Sequence, residues 1–247
     1  MTQALPLPNL RRLHEWSLAS GDRIAVEAFD LAWDRILPPR ISGTVLHVGS
    51  KASILDAAAP WRAVLPDSRV IGMDLSAGDN VDVVCDIQAP VQEIRRRCGV
   101  RSFDAVICAH VLEHLPRPWE AARNLQYLLR PGGTLLVTVP WVQGYHEFPE
   151  DYWRMSFAGL RALLPDIEPE IEFYSGASEE QGYRLLWNGV PEHSTRTCRI
   201  ERNLFQIELA APPEQAIFDD RPGATKLAAS RLYLPACSVN LLGRKKG

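Results

Sequence analysis

The chain has 247 residues, 46% hydrophobic and 23% charged, with a formal net charge of −3 and a pI near 6.1. That balance belongs to a folded globular protein: one large domain, or one domain with a modest appendage. It excludes a chain-wide attraction to polyanions, and the basic clusters Arg95-Arg96-Arg97 and Arg244-Lys245-Lys246 read as a solvated helix end and a solvated tail, so no nucleic-acid partner is expected.

The five cysteines, Cys85, Cys98, Cys108, Cys198 and Cys237, are odd in number and stand at no metal-ligand spacing. A reducing, cytoplasmic compartment is the expectation. No stretch reaches the ~18 apolar residues of a membrane span, and MTQALPLPNLRRLHEW lacks the apolar run of a signal peptide.

In chain order, residues 8–36 predict helix. Ala25, Phe29, Leu31, Ala32 and Ile36 recur at helical intervals, and Pro38-Pro39 ends the run. Short β-branched runs follow at GTVLHV (43–48), RVIGMD (69–74), VDVVCD (81–86), FDAVICAH (103–110) and GTLLVTVP (133–140). Helical stretches separate several of them, most clearly Pro118–Leu129 with Trp119, Ala122, Leu125 and Leu129. Strands that are apolar on nearly every residue, alternating with helices, indicate a sheet buried on both faces. The fold class is therefore α/β: a doubly wound Rossmann-like sheet with helices on both faces. EIEFYSG (170–176) and ACSVNLLG (236–243) alternate as strands, and 177–235 reads as a mixed insertion, a candidate substrate lid. The expected organisation is a single domain: a helical cap over 1–40, a nucleotide-binding core over 41–165, and last strands with an insertion over 166–247.

In such a sheet ligands sit at the carboxyl ends of the strands. Asp74 closes the second strand, placed to accept hydrogen bonds from both hydroxyls of a ribose; Asp-Leu-Ser is equally a turn sequence. Asp86 suits an adenine amino group, or caps its strand. The first loop carries only Gly49, with Lys51 and Ser53 where a nucleotide loop has glycine.

The order VLHVGS, VIGMDLS, VVCDI and then FDAVICAHVLEHLPRPWEAARNLQYLLRPGGTLLVTVP resembles a class I S-adenosylmethionine-dependent methyltransferase of the small-molecule and sugar type. The resemblance covers about 41–165, and the continuation from His146 through Tyr152-Trp153-Arg154 is similar to members encoded with polysaccharide genes. It implies a mostly parallel sheet with an antiparallel last strand and S-adenosylmethionine as cofactor, held by His47, Gly49, Ser50, Asp74, Leu75, Asp86, Ile87, Ala109 and His110. Family members generally have an acidic residue where this chain has His47.

Methyl transfer to an alcohol needs alignment, desolvation and a base. The candidates around the expected mouth are His110, Glu113, His114, His146, Glu147, Asp151 and Tyr152, with His146 or His110 expected as the base. His114 reads as a tie between its loop and the following helix. Tyr152, Trp153 and Arg154 suit a sugar ring, a flat acceptor or a carboxylate, or anchor the next helix. The expected acceptor is a small molecule or glycan, modified on a hydroxyl. No metal site is indicated. An alternative reading of the sparse glycine loop is a non-catalytic scaffold or regulatory protein on the same fold.

Overall fold

Most of the apolar runs in the middle of the chain have no polar face to offer water and are strands covered on both sides; the run over 81–86 pairs only at Val83–Val84, with Val84 exposed at the sheet edge. In the computed structural model, which describes residues 11–17, 23–30, 37, 40–51, 61–143, 145–146, 149–176, 181–187, 190–191 and 237–247, they build one sheet. Its strands are β1 (Arg11–Ser17), β2 (Arg23–Asp30), β3 (Gly43–Val48), β4 (Ser68–Asp74), β5 (Val83–Val84), β6 (Phe103–Ala109), β7 (Leu129–Val142), β8 (Ile167–Gly176), β9 (Gln181–Trp187), β10 (Val190–Pro191) and β11 (Cys237–Lys245). The helices are α1 (Trp61–Val64), α2 (Val91–Cys98), α3 (Pro118–Leu128) and α4 (Phe157–Leu163).

The strand order is β1-β2-β9-β8-β11-β7-β6-β3-β4-β5, with β10 beside β9. Strands β3 to β7 are mutually parallel, whereas β11 runs antiparallel to both β7 and β8. The seven strands from β5 to β8 thus form the expected mostly parallel sheet with an antiparallel last strand. The chain leaves β3 toward β4 on one side and later returns to β6 on the other, which puts the switch point of the winding between β3 and β6.

Alternate residues feed two cores. Leu46, Val106, Cys108, Leu135, Val137 and Leu241 pack with α2, α3 and α4 on one face. Val45, Ala105, Ile107, Leu136, Phe173 and Leu242 pack with Leu37, Ile41, Trp61 and Val64 on the other. Helix α3 starts on Pro118 and buries Ala121, Ala122, Leu125 and Leu128 completely. Trp119, expected in its apolar stripe, is instead 52% exposed, because its position falls off the face set by the fully buried alanines and leucines. Helix α4 is capped by Ser156, whose side chain accepts from the Gly159 N–H at 3.2 Å, a cap worth about 1 kcal/mol.

The amino-terminal helix is corrected. Residues Arg11–Ser17 and Arg23–Asp30 pair as an antiparallel hairpin, with Trp16 opposite Ile24 and His14 opposite Val26. The period-2 alternation of Ile24, Val26 and Ala28, and the Ser20-Gly21-Asp22 turn sequence before it, outweigh the weaker helical spacing. The hairpin joins the sheet through β2 on β9, Ile24 opposite Trp187 to Asp30 opposite Gln181. The cap and the start of the 177–235 insertion are thus one β extension of the same edge. The rest of that insertion, with Cys198, lies outside the described residues, as do Ala52, Ser53 and Glu147. Among the described residues no helix is long and apolar enough to cross a membrane.

Candidate functional site

The register Val48 to Met73 and Val48 to Cys108 brings the ends of β3, β4 and β6 level, so the loops after them share one edge. Gly49 opens the first loop at φ +75°, where a Cβ would lie 2.4 Å from Val111 Cγ2; only glycine lets the two loops approach this closely. The N–H groups of Gly49 and Ser50 both donate to Met73 O, at 2.9 and 3.2 Å. Gly72 is required for the same reason, since a Cβ there would meet Asn80 O at 1.9 Å and Ser50 Oγ at 2.6 Å. Ser50 is buried against it.

Asp74 accepts the Lys51 N–H on Oδ2 at 3.2 Å and the Ser76 N–H on Oδ1 at 3.1 Å. Each oxygen keeps a second lone pair for a ligand. Lys51 Nζ donates to Ser76 Oγ at 3.0 Å, so this side chain lies along the end of β4. Leu75 is exposed beside it. Asp86 receives the Gln88 N–H at 2.8 Å, an Asx turn, while Ile87 is 4% exposed and turns into the core. The loop is fixed from below by Asn124 of α3, whose Nδ2 donates to Ile87 O at 2.6 Å and Ala89 O at 2.8 Å. Sequence reading missed Asn124; its signal was an amide, with Gln126 two residues on, inside an otherwise apolar helical stripe.

His47 sits within β3 beside Trp61, ring centroids 6.2 Å apart. Burial, reinforced by the Arg62 charge and only partly opposed by Asp74, pushes its imidazole down to about 4. It is a neutral ring, not an anion, at physiological pH.

The other half of the edge is built from the segments after β6 and β7. His110 closes β6 at φ +53°, its N–H bound to Thr138 O at 2.9 Å. A non-glycine residue in the left-handed region costs energy that its surroundings must supply. Its Nδ1 faces Oε1 of the fully buried Glu113 at 3.3 Å, in the 3₁₀ turn Leu112–His114. The carbonyl of Glu113 accepts the N–H groups of Tyr152 and Trp153, at 2.8 and 3.3 Å. Trp153 Nε1 donates to Leu115 O at 2.8 Å, and His114 Nδ1 to Glu150 O at 2.7 Å. His114 therefore ties its turn to the segment after β7 rather than to α3.

His146 belongs to the same cluster. Its N–H donates to Asp151 Oδ2 at 3.0 Å, and its Nδ1 lies 3.3 Å from that oxygen. Its ring packs edge-on against His114, centroids 4.9 Å apart. Arg154 grips Asp151 from the other side, and this hydrogen-bonded pair holds the Asp151 carboxyl down to about 2. The remaining Arg154 donors go to Gln143 O and Trp153 O. All five guanidinium N–H groups thus bind protein. Tyr152 and Trp153, partly exposed, present their rings outward, Trp153 edge-on to Trp119 with centroids 6.3 Å apart.

The methyltransferase-domain family model matches residues 27–178, more than half of the chain. The chain belongs to this family. The chain is 32% identical over 114 residues to the ubiquinone biosynthesis O-methyltransferase of Xanthomonas oryzae pv. oryzae, over 44% of each chain. The match thus spans less than half the length of these curated relatives. Among solved structures it is similar to the 1,6-didemethyltoxoflavin-N1-methyltransferase of Burkholderia thailandensis, at 14% identity over 95% of this chain and 100% of the other, TM-score 0.48. It is also similar to the N-methyltransferase NodS of Bradyrhizobium japonicum WM9, at 16% identity over 59% and 77%, TM-score 0.40.

S-adenosylmethionine is the cofactor of this family. The residues at the edge fit it: the Asp74 carboxylate has lone pairs left beyond its two backbone bonds, and Leu75 beside it is exposed.

Proposed function

We propose that the protein transfers a methyl group from S-adenosylmethionine to a hydroxyl of a small-molecule or glycan acceptor. The observation that carries this reading is His110: strained at the end of β6, at the switch point, with Nδ1 against a buried carboxylate. When bound, the cofactor supplies a methyl group already activated by its sulfonium. Asp74 holds the ribose hydroxyls, Asp86 lies at the adenine end, and neutral His47 with the Gly49-Ser50 backbone lines the amino-acid end. His110 takes the proton of the acceptor hydroxyl, and Glu113 stabilises the imidazolium so formed, as a buried carboxylate does behind a catalytic histidine. Tyr152 and Trp153 offer flat apolar surface to the acceptor, while Arg154 holds their loop. The O-methyltransferase relatives support the choice of oxygen as the methylated atom.

The test combines titration and turnover. The wild-type protein binds S-adenosylhomocysteine, and His110→Gln binds it equally but loses roughly 10²–10⁴-fold in turnover of a methylated acceptor. Turnover near the wild-type level in His110→Gln, with loss in His146→Gln, moves the base to His146. Absence of binding to either form of the cofactor favours the scaffold reading.

A further inference from the structure

We infer that Glu113, His114 and His146 form a site for a divalent transition-metal ion of the zinc class. One ligand atom from each residue lies within 4.8 Å of the other two. Glu113 is 0% exposed, and no hydrogen bond among the described residues reaches either carboxylate oxygen; the ring nitrogens of His110 and His114 stand 3.3 and 3.8 Å from Oε1. His110 and His114 approach Oε1 alone, so Oε2 has no partner among the described residues, and a buried carboxylate oxygen left so is costly unless a cation meets it.

The histidines are prepared in the same sense. Glu150 O accepts only, so His114 Nδ1 carries the hydrogen and Nε2, the nitrogen facing Glu113, presents its lone pair. Asp151, whose two oxygens both accept from Arg154, faces His146 Nδ1 as an acceptor too, which places the hydrogen of His146 on Nδ1. An outer oxygen on one ring nitrogen, fixing the tautomer and raising the basicity of the other, is the usual support of a metal-bound histidine. Two imidazoles and one carboxylate select zinc, iron, cobalt or nickel over magnesium or calcium, which prefer oxygen. Bound at ~2.0–2.2 Å, such an ion draws tetrahedral ligand atoms to ~3.5 Å, so the site closes by about an ångström, a rotamer adjustment in a loop. The ion would also pin the turn after β6 to the segment after β7, beside His110. Any part in polarising an acceptor oxygen rests on the function proposed above; the site itself does not.

Tag-free full-length protein, dialysed against chelator, is titrated with Zn²⁺ by calorimetry and with Co²⁺ by its visible d–d absorption. One equivalent binds, with the intense spectrum of a four-coordinate nitrogen-containing site. Glu113→Gln and His146→Gln each weaken binding by at least about 100-fold with circular dichroism unchanged; His146 stands on a loop, so its variant folds even if the buried one does not. Exposed Asp67→Asn binds as wild type. No saturable binding at millimolar ion, equal affinity in the variants, or displacement by equimolar Mg²⁺ overturns the assignment. Cofactor titration in parallel separates this from the methyl-transfer reading: metal bound without cofactor bound sinks only the latter.

Discussion

The guanidinium of Arg154 straddles the carboxylate of Asp151, Nη1 to Oδ1 at 2.5 Å and Nη2 to Oδ2 at 2.6 Å. The pair stands behind His146 and organises the segment that carries Tyr152 and Trp153. Lysine cannot reproduce the fork or the bonds to Gln143 O and Trp153 O. Arg154→Lys therefore lowers stability by about 1–3 kcal/mol, read as a fall in thermal midpoint. A raised KM for the acceptor with an unchanged midpoint would place Arg154 on the acceptor instead.

His47 gives the fold an acid-side dependence on pH. Its folded value of about 4 lies below the ~6.5 of the unfolded chain, so the unfolded state takes up the proton first. Stability is full above about pH 6.5 and declines as the pH drops toward 4, by at most about 3 kcal/mol. Denaturant unfolding at a series of pH values shows this slope in the wild type, and His47→Asn flattens it. A wild-type profile already flat between pH 6.5 and 4 would mean that the ring is solvated.

Asp74 carries the expected hold on the cofactor. Removing a charged acceptor from two hydroxyl donors costs about 1.5–3 kcal/mol, so Asp74→Ala weakens S-adenosylhomocysteine binding roughly 10–100-fold by calorimetry. Unchanged affinity would show that the ribose is held elsewhere.

Asn240 joins three strands beneath the site. Its Oδ1 accepts from Thr138 Oγ1 at 2.8 Å, and its Nδ2 donates to Ser175 Oγ at 2.9 Å and Phe173 O at 3.3 Å, all buried. Asn240→Ala strands these partners and destabilises the protein by about 2–4 kcal/mol. Because Thr138 also accepts the His110 N–H, turnover falls with it. A loss below about 0.5 kcal/mol, within the range of ordinary surface changes, would mean that the network is not closed in solution.

What the sequence determined by itself was the sheet and the edge at which its parallel strands end together. Runs such as FDAVICA and GTLLVTV have no polar face, and that alone forces burial on both sides; Asp74 and Asp86 end such runs, so their placement follows from strand direction. Gly49 was legible as a turn, because a strand running into a lone glycine has few other outcomes. The amino-terminal hairpin was not, since Ala25, Phe29 and Ala32 satisfy helical spacing while Ile24, Val26 and Ala28 satisfy strand spacing. Only an available partner edge, β9 from over 150 residues away, resolves that ambiguity.

Tertiary structure decided the rest, because side-chain chemistry depends on neighbours distant in the chain. Arg154, readable from sequence as either an acceptor contact or an anchor of the next helix, gives its donors to Asp151, Gln143 and Trp153. His47 stands where an acid is usual, and burial keeps it neutral. Glu113, His114 and His146 carry no recognisable metal spacing, the two histidines standing 32 positions apart. They meet because β6 and β7 are parallel neighbours whose following segments leave the sheet at the same end.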